Sequence, residues 1–317
     1  MVVALQLPLC GWNWVKIVLC GLLGTLTAGG AAAGPVQVFC FELTPQVEQV
    51  INGLKQELKV DELPWLEARG SWKRGQELVE QLAPEDMPLL IVLSTPALSL
   101  VAPRIKEHPV IVFGMVADPC CSGAAFDRHH PEDHQANITG VASPPPVAAA
   151  IKQGSQLFPS YRRWGLLFDP LEGSSIELCE QFKSLAPDFG LTPVTRAACS
   201  ETEAQAGLQA LAAQGVRLIY IPPDKNARRY APQLLKWGRE QRVLVVNGHP
   251  DFQAPGAILS VTTDYEAVGK LTATLARRVL EGESPAHIPI QHETPIQVKV
   301  DEQLLEKWSG YPPTDLN

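Results

Sequence analysis

Basic residues are in deficit in this 317-residue sequence, where 26 Lys and Arg stand against 34 Asp and Glu for a formal charge of −8. A surface for DNA, RNA or anionic lipid needs clustered Lys and Arg to neutralise phosphates, so no nucleic-acid partner is expected. Catalytic signatures are lacking too: there is no G-x-S-x-G nucleophile elbow, P-loop, G-x-G-x-x-G or H-E-x-x-H. Carboxylates without a nucleophile or metal centre make a poor enzyme, and a binding protein without a cofactor is expected instead. Long apolar runs are also missing. Beyond residue 33 none approaches the roughly 20 residues of a membrane span.

The first 33 residues read differently. Lys16 precedes an apolar stretch from Ile17 to Leu26 and then the small residues Ala28-Gly29-Gly30-Ala31-Ala32-Ala33, the order of a Sec signal peptide. Cleavage after Ala33 leaves 317 − 33 = 284 residues, and a soluble periplasmic product is expected. An uncleaved anchor is the competing reading, because Met1 to Leu9 is also apolar. A lipoprotein is disfavoured, because Val18-Leu19 before Cys20 are not small. Cys10 and Cys20 fall in this leader, leaving five cysteines: Cys40, Cys120, Cys121, Cys179 and Cys199. An odd number implies at least one free thiol, and the spacing matches no zinc module.

After Gly34, strand-length apolar runs alternate with helical periods, which predicts βα units and largely parallel sheets. Val36 to Phe41, Leu63 to Leu66, Leu89 to Leu93 and Val110 to Val116 read as strands. Helices between them carry Val47, Val50, Ile51, Leu54 and Leu58 on one face, then Trp72, Val79 and Leu82. Ser143 before Pro144-Pro145-Pro146 opens a second series as a helix cap. Trp164 to Phe168, Leu218 to Ile221 and Val243 to Val246 are its strands, and Ser200-Glu201-Thr202-Glu203 is a capping box. Ala257 to Val261, a helix capped by Asp264, and Pro295 to Val300 follow. The pattern predicts an α/β protein of two doubly wound parallel-sheet lobes joined by a multi-strand hinge.

Several segments, taken in order, are similar to a known family. They are Ser94-Thr95-Pro96-Ala97, Val112-Phe113 through Ala117-Asp118-Pro119, Asn137-Ile138-Thr139-Gly140-Val141, and Leu157-Phe158-Pro159 leading to Gly165-Leu166-Leu167-Phe168-Asp169-Pro170. Ser174-Ser175, Ile219-Tyr220-Ile221-Pro222-Pro223-Asp224, Thr263-Asp264-Tyr265-Glu266-Ala267-Val268-Gly269 and Ile288-Pro289-Ile290 continue the series. Together they resemble ABC-transporter substrate-binding proteins with the type I periplasmic fold, the group that includes tryptophan- and other amino-acid-binding members. The resemblance implies a monomer that delivers a small molecule to an inner-membrane ABC permease. It implies residues 35–142 plus 259–282 in one lobe and 143–258 plus 283–317 in the other. Two segments depart from the family. The loop Phe41 to Pro45 precedes a shortened helix, and Cys120 to Gln135 replaces a Gly-rich hydrophobic loop.

Ligands of open α/β sheets lie beyond the carboxyl ends of the strands. The residues expected there are Phe41, Glu42, Ser94, Thr95, Asp118, Asp169, Ser174, Ser175, Asp224, Asp264 and Tyr265. Amide and hydroxyl donors facing carboxylates suit a zwitterion such as an amino acid, with Asp224 the foremost ligand contact. Helix capping accounts equally for the serines and Asp264, and turn formation for Asp118 and Asp169 before prolines. No metal site is assigned, although Cys120, Cys121, His129, His130, Asp133 and His134 are metal-ligand types close in sequence. A periplasmic ligand sensor, or a metal-binding protein using that loop, are the alternative functions.

Overall fold

Leu89–Leu93, strand β3, shows how the elements arise. Leu89, Ile91 and Leu93 enter one core while Leu90 and Val92 enter another, and all five are buried. A strand can bury both faces only between two helical layers, hence its unbroken aliphatic text. The computed structural model describes residues 36–82, 87–250 and 256–309. The leader predicted over residues 1–33 lies outside them.

The first sheet has β1 (Val36–Cys40), β2 (Trp65–Glu67), β3, β4 (Val110–Val116) and β5 (Ile138–Ala142) in the order β2-β1-β3-β4-β5, all parallel. One face carries α1 (Pro45–Leu58) and α8 (Tyr265–Leu280), and the other carries α2 (Trp72–Gln81) and α3 (Thr95–Val101). The second sheet repeats the plan with β6 (Arg163–Phe168), β7 (Thr192–Ala197), β8 (Leu218–Ile221), β9 (Leu244–Asn247) and β10 (Leu259–Thr263). It adds an antiparallel edge strand, β11 (Ile296–Val300), giving the order β11-β10-β9-β8-β6-β7. The helices α4 (Val147–Leu157), α5 (Gly173–Leu185) and α9 (Glu302–Ser309) cover one face, and α6 (Glu201–Ala213) and α7 (Lys225–Gln241) the other. Among the described residues no helix is long and apolar enough to cross a membrane.

The chain passes between the sheets three times: after Ala142, at Asp264, and through the segment from Gln291 to Pro295. Hydrogen bonds tie these passages together. The Thr294 hydroxyl donates to the Ala142 carbonyl at 3.0 Å, and the Asp264 N–H donates to the Pro295 carbonyl at 2.9 Å. The crossings fall elsewhere than the sequence places them. Strand β10, expected in the first lobe with 259–282, is hydrogen-bonded to β9 and β11 of the second sheet. Ile288 and Ile290, expected in the second lobe, are buried in the first. Periodicity names a strand but not its partner.

Two further differences have local causes. Ser143 does not cap α4, which starts at Val147 after Pro146. A residue before proline is kept out of the α region, so Ser143 to Pro145 stay non-helical and serve as the crossing. Strand β7 escapes a pattern search because it is a half-buried edge containing Pro193, a residue confined to edges because it cannot donate to a ladder.

Candidate functional site

The first crossing leaves the carboxyl end of β5 and the second leaves the carboxyl end of β10. The carboxyl edges of both sheets therefore adjoin the hinge. On the first sheet, Cys40 pairs with Leu93 and Leu93 with Gly114, so Phe41 and Ser94, just past the ends of β1 and β3, adjoin Met115 at an irregularity near the end of β4.

Two of these three carry strained backbones. Ser94 has φ 88° and ψ 152°, and Met115 has φ 59°. Such conformations, costly for residues with a Cβ, concentrate at binding and active sites. The Ser94 N–H donates to the Gly114 carbonyl at 3.1 Å, which fixes the conformation. Its hydroxyl is buried and has no hydrogen-bond partner. Thr95 holds the next strand end, its Oγ1 accepting from the Ala117 N–H at 3.1 Å. Replacing Ser94 with glycine is expected to raise stability by about 1 kcal/mol, since glycine adopts this conformation without penalty, while weakening ligand binding. Chemical denaturation beside a binding assay checks both signs, and a destabilised Ser94→Gly protein would contradict the strain argument.

Phe41 packs partly against the core, with its ring 5.1 Å from that of Trp72 at 53°. Trp72 opens α2, capped by Ser71, and is 51% exposed. Glu42 beside it is exposed. Asp118 organises the loop that follows β4. Its Oδ1 accepts from the Cys120 and Cys121 N–H groups at 2.8 and 3.4 Å, its Oδ2 accepts from the Cys121 thiol at 3.3 Å, and Arg128 pairs with it. Burial pushes this carboxyl up, but the Cys121 thiol, the two N–H groups and the guanidinium outweigh it and hold it below its ordinary value.

The second sheet's edge is more enclosed. The Asp169 N–H donates to Ser175 Oγ at 2.8 Å, Ser175 Oγ donates to Asp224 Oδ2 at 2.7 Å, and Asp224 Oδ1 accepts from the Ala227 N–H at 2.5 Å. Asp224, the foremost expected contact, is 2% exposed, and both its oxygens are engaged inside the lobe. Asp169 Oδ1 accepts from the Leu171 N–H at 2.8 Å in the turn expected before a proline. Ser174 is exposed and donates to Glu172, Asp264 caps α8 through the Ala267 N–H, and Tyr265 is half-buried against the α1–α8 core. Tyr220 and Tyr230 are buried without hydrogen-bond partners for their hydroxyls, and burial followed by the Asp224 charge pushes both phenols well above their ordinary value.

Between the edges, beside the hinge, lies a cavity of about 170 Å³ whose walls include Asp118, Arg128, Pro144, Glu177, Ile290 and His292. A larger depression of about 790 Å³, near Val79, Arg104 and Pro109, opens at the opposite, amino end of the first sheet and is remote from these groups. Among the described residues no group of three or more His, Cys, Asp or Glu converges to hold a metal ion. Within the Cys/His loop, His129 is exposed, His130 Nδ1 lies 3.3 Å from Glu132, and His134 Nδ1 lies 3.0 Å from the Gln135 carbonyl. All five described cysteines are free thiols, and burial, then the Glu67 charge, pushes Cys40 up to about 12.

Residues 43–309 match the family described as ABC transporter substrate binding protein. The chain belongs to this family. Solved structures agree on the fold. A ligand-free, open substrate-binding protein with adhesive properties from Clostridium difficile is 20% identical, with a TM-score of 0.75 over 89% of this chain and 97% of that one. An ABC domain in complex with L-Trp from Streptococcus pneumonia is 21% identical, with a TM-score of 0.65 over 88% and 96%. The Caulobacter myo-inositol binding protein is 16% identical, with a TM-score of 0.55 over 89% and 98%. No curated protein sequence matches significantly. The fold of this substrate-binding protein is that of the type I periplasmic binding proteins.

Sequence reasoning missed three residues of the substrate-binding chain's edges. Trp72 reads as a core position of α2, because its helical spacing with Val79 is apolar; its place in the first turn, after a Ser cap, is the signal that it lies at the strand ends. Asn247 ends β9 and His249 follows it, and the Asn247 side chain and His249 backbone exchange hydrogen bonds of 3.0 Å, both residues buried. The text Asn247-Gly248-His249 after an apolar run carries a turn signal that could have found them.

Proposed function

We propose that this chain is the solute-capturing subunit of an ABC importer, exported as a monomer to the periplasm, and that its ligand is amino-acid-like and zwitterionic. The observation that carries the reading is the group Phe41, Ser94 and Met115 at the carboxyl edge of the first sheet. A strained serine there offers a buried hydroxyl without a partner, next to a strand end whose phenylalanine packs at a tilt against the exposed Trp72. A hydroxyl that loses water without gaining a partner costs about 1–3 kcal/mol, a deficit that a ligand's polar group would remove. The exposed ring of Trp72 is suited to an apolar or aromatic ligand face. The L-Trp carried by the Streptococcus neighbour favours an amino acid with an aromatic side chain as the first probe.

The reading is of a binder and not an enzyme. Asp169, Asp224 and Asp264 hold turns and helix starts. The hinge of three passages supports closure of the lobes around the ligand. Thermal denaturation against L-tryptophan, other amino acids and myo-inositol tests the proposal. A ligand at 100 times its Kd adds about 2.7 kcal/mol of stability. Trp72→Ala is expected to weaken L-tryptophan binding about 10- to 100-fold without lowering the melting temperature of the free protein. A shift with the polyol alone, or with no amino acid, would sink the amino-acid reading.

A further inference from the structure

The loop from Pro119 to Gln135 is anchored to the first lobe. Asp118 caps its first turn, Ala125 and His134 form an antiparallel bridge, and the Phe126 N–H donates to the Asp133 carbonyl at 2.8 Å. The Gln135 side chain donates to the Ala102 carbonyl, after α3, at 3.2 Å. Arg128 is carried on this frame, paired with Asp118, with its side chain 57% exposed.

A second charge on the same cavity belongs to the other lobe. Glu177 of α5 lines the same cavity of about 170 Å³, and the crossing residues Pro144 and His292 complete its wall. Glu177 is exposed and makes no salt bridge among the described residues, and its charge acts favourably on the Arg128 guanidinium after those of the Cys121 thiol and Asp118.

We propose that Arg128 is a cross-lobe positioning residue with Glu177 as its counterpart, so that the Pro119–Gln135 loop is a strap beside the hinge that steers α5 onto the first lobe. Its purpose rests on the capture reading above; its contact does not. Exposed pairs are weak, so the strap selects the closing geometry and does not supply the bulk of ligand affinity.

The Arg128→Lys variant of the full chain keeps the charge and adds an amine that a carbodiimide joins to a nearby carboxylate as an amide, the carbodiimide taking up the elements of water and leaving as the urea. Without ligand, mass spectrometry should find position 128 linked to Asp118, an internal control for the loop, and also to Glu177. Glu177→Gln should abolish only the second link. Added salt of about 0.5 M should lower its yield roughly two- to five-fold. The converse variant Glu177→Lys, on the exposed face of α5, should link position 177 to Asp118 or Asp127 and does not depend on altering the loop. Links of position 128 confined to the first lobe together with no link from position 177 to the first lobe, or a cross-lobe link indifferent to salt, would overturn the strap. If the cross-lobe link forms while no amino acid shifts the melting temperature, the ligand reading fails and the strap stands.

Discussion

Gly269→Ala is expected to destabilise the protein by about 3 kcal/mol, on the order of 10 °C in melting temperature, although alanine is the better helix former by about 1 kcal/mol. Gly269 of α8 and Gly53 of α1 meet where the two helices cross. A Cβ at Gly269 would lie 2.1 Å from the Val50 carbonyl oxygen, and one at Gly53 would lie 2.1 Å from the Glu266 carbonyl oxygen. Both obstacles are backbone, so no rotamer change relieves them, and the helices must part. Parting them uncovers Val50, Leu54, Val268 and Ala276 of the first lobe's core. Gly53→Ala should cost a similar amount, and the double variant less than the sum, because one displacement accommodates both methyl groups. Urea denaturation decides the matter: stability equal to or above that of the parent would refute the crossing as described.

Asp224→Ala is expected to cost about 3 kcal/mol, combining loss of an α7 cap, about 1 kcal/mol, with the stranding of the buried Ser175 hydroxyl, about 1–3 kcal/mol. The Ser175 hydroxyl donates to Asp224 and accepts from the Asp169 N–H, so one side chain joins the ends of β6 and β8. Asp224→Asn, which keeps a side-chain oxygen for the Ala227 N–H, should lose far less. Ser175→Ala and Asp224→Ala should be non-additive in a double-mutant cycle, since each removes the same bond. A residue that merely touches ligand behaves in the opposite way: its replacement leaves the melting temperature unchanged and reduces affinity. Measuring both quantities on Asp224→Ala separates the two roles, and an unchanged melting temperature would remove Asp224 from the framework.

The fold was legible in the sequence wherever burial leaves a periodic trace. The five residues of β3 alternate between two cores, and the Val47, Val50, Ile51 and Leu54 stripe of α1 lies buried. Caps at Ser200 and Asp264 were legible because the helix start satisfies its N–H groups locally. Edge elements were not. Strand β7 buries too little for its pattern to stand out, and β2 runs Trp65–Glu67, not from Leu63.

By itself, then, the sequence determined the βα repeats, their doubling, the family motifs and the set of polar residues that end the strands, because these follow from nearest-neighbour chemistry along the chain. Tertiary structure alone decided how those residues are placed. It turned Asp224 and Ser175 inward to one another, left Ser94 strained with a buried hydroxyl, brought Trp72 onto Phe41, and put Arg128 and Glu177 on the wall of one cavity. It also assigned β10 to the second sheet. Each of these depends on strand register and on where the chain crosses between lobes, contacts between residues far apart in sequence that no local pattern encodes.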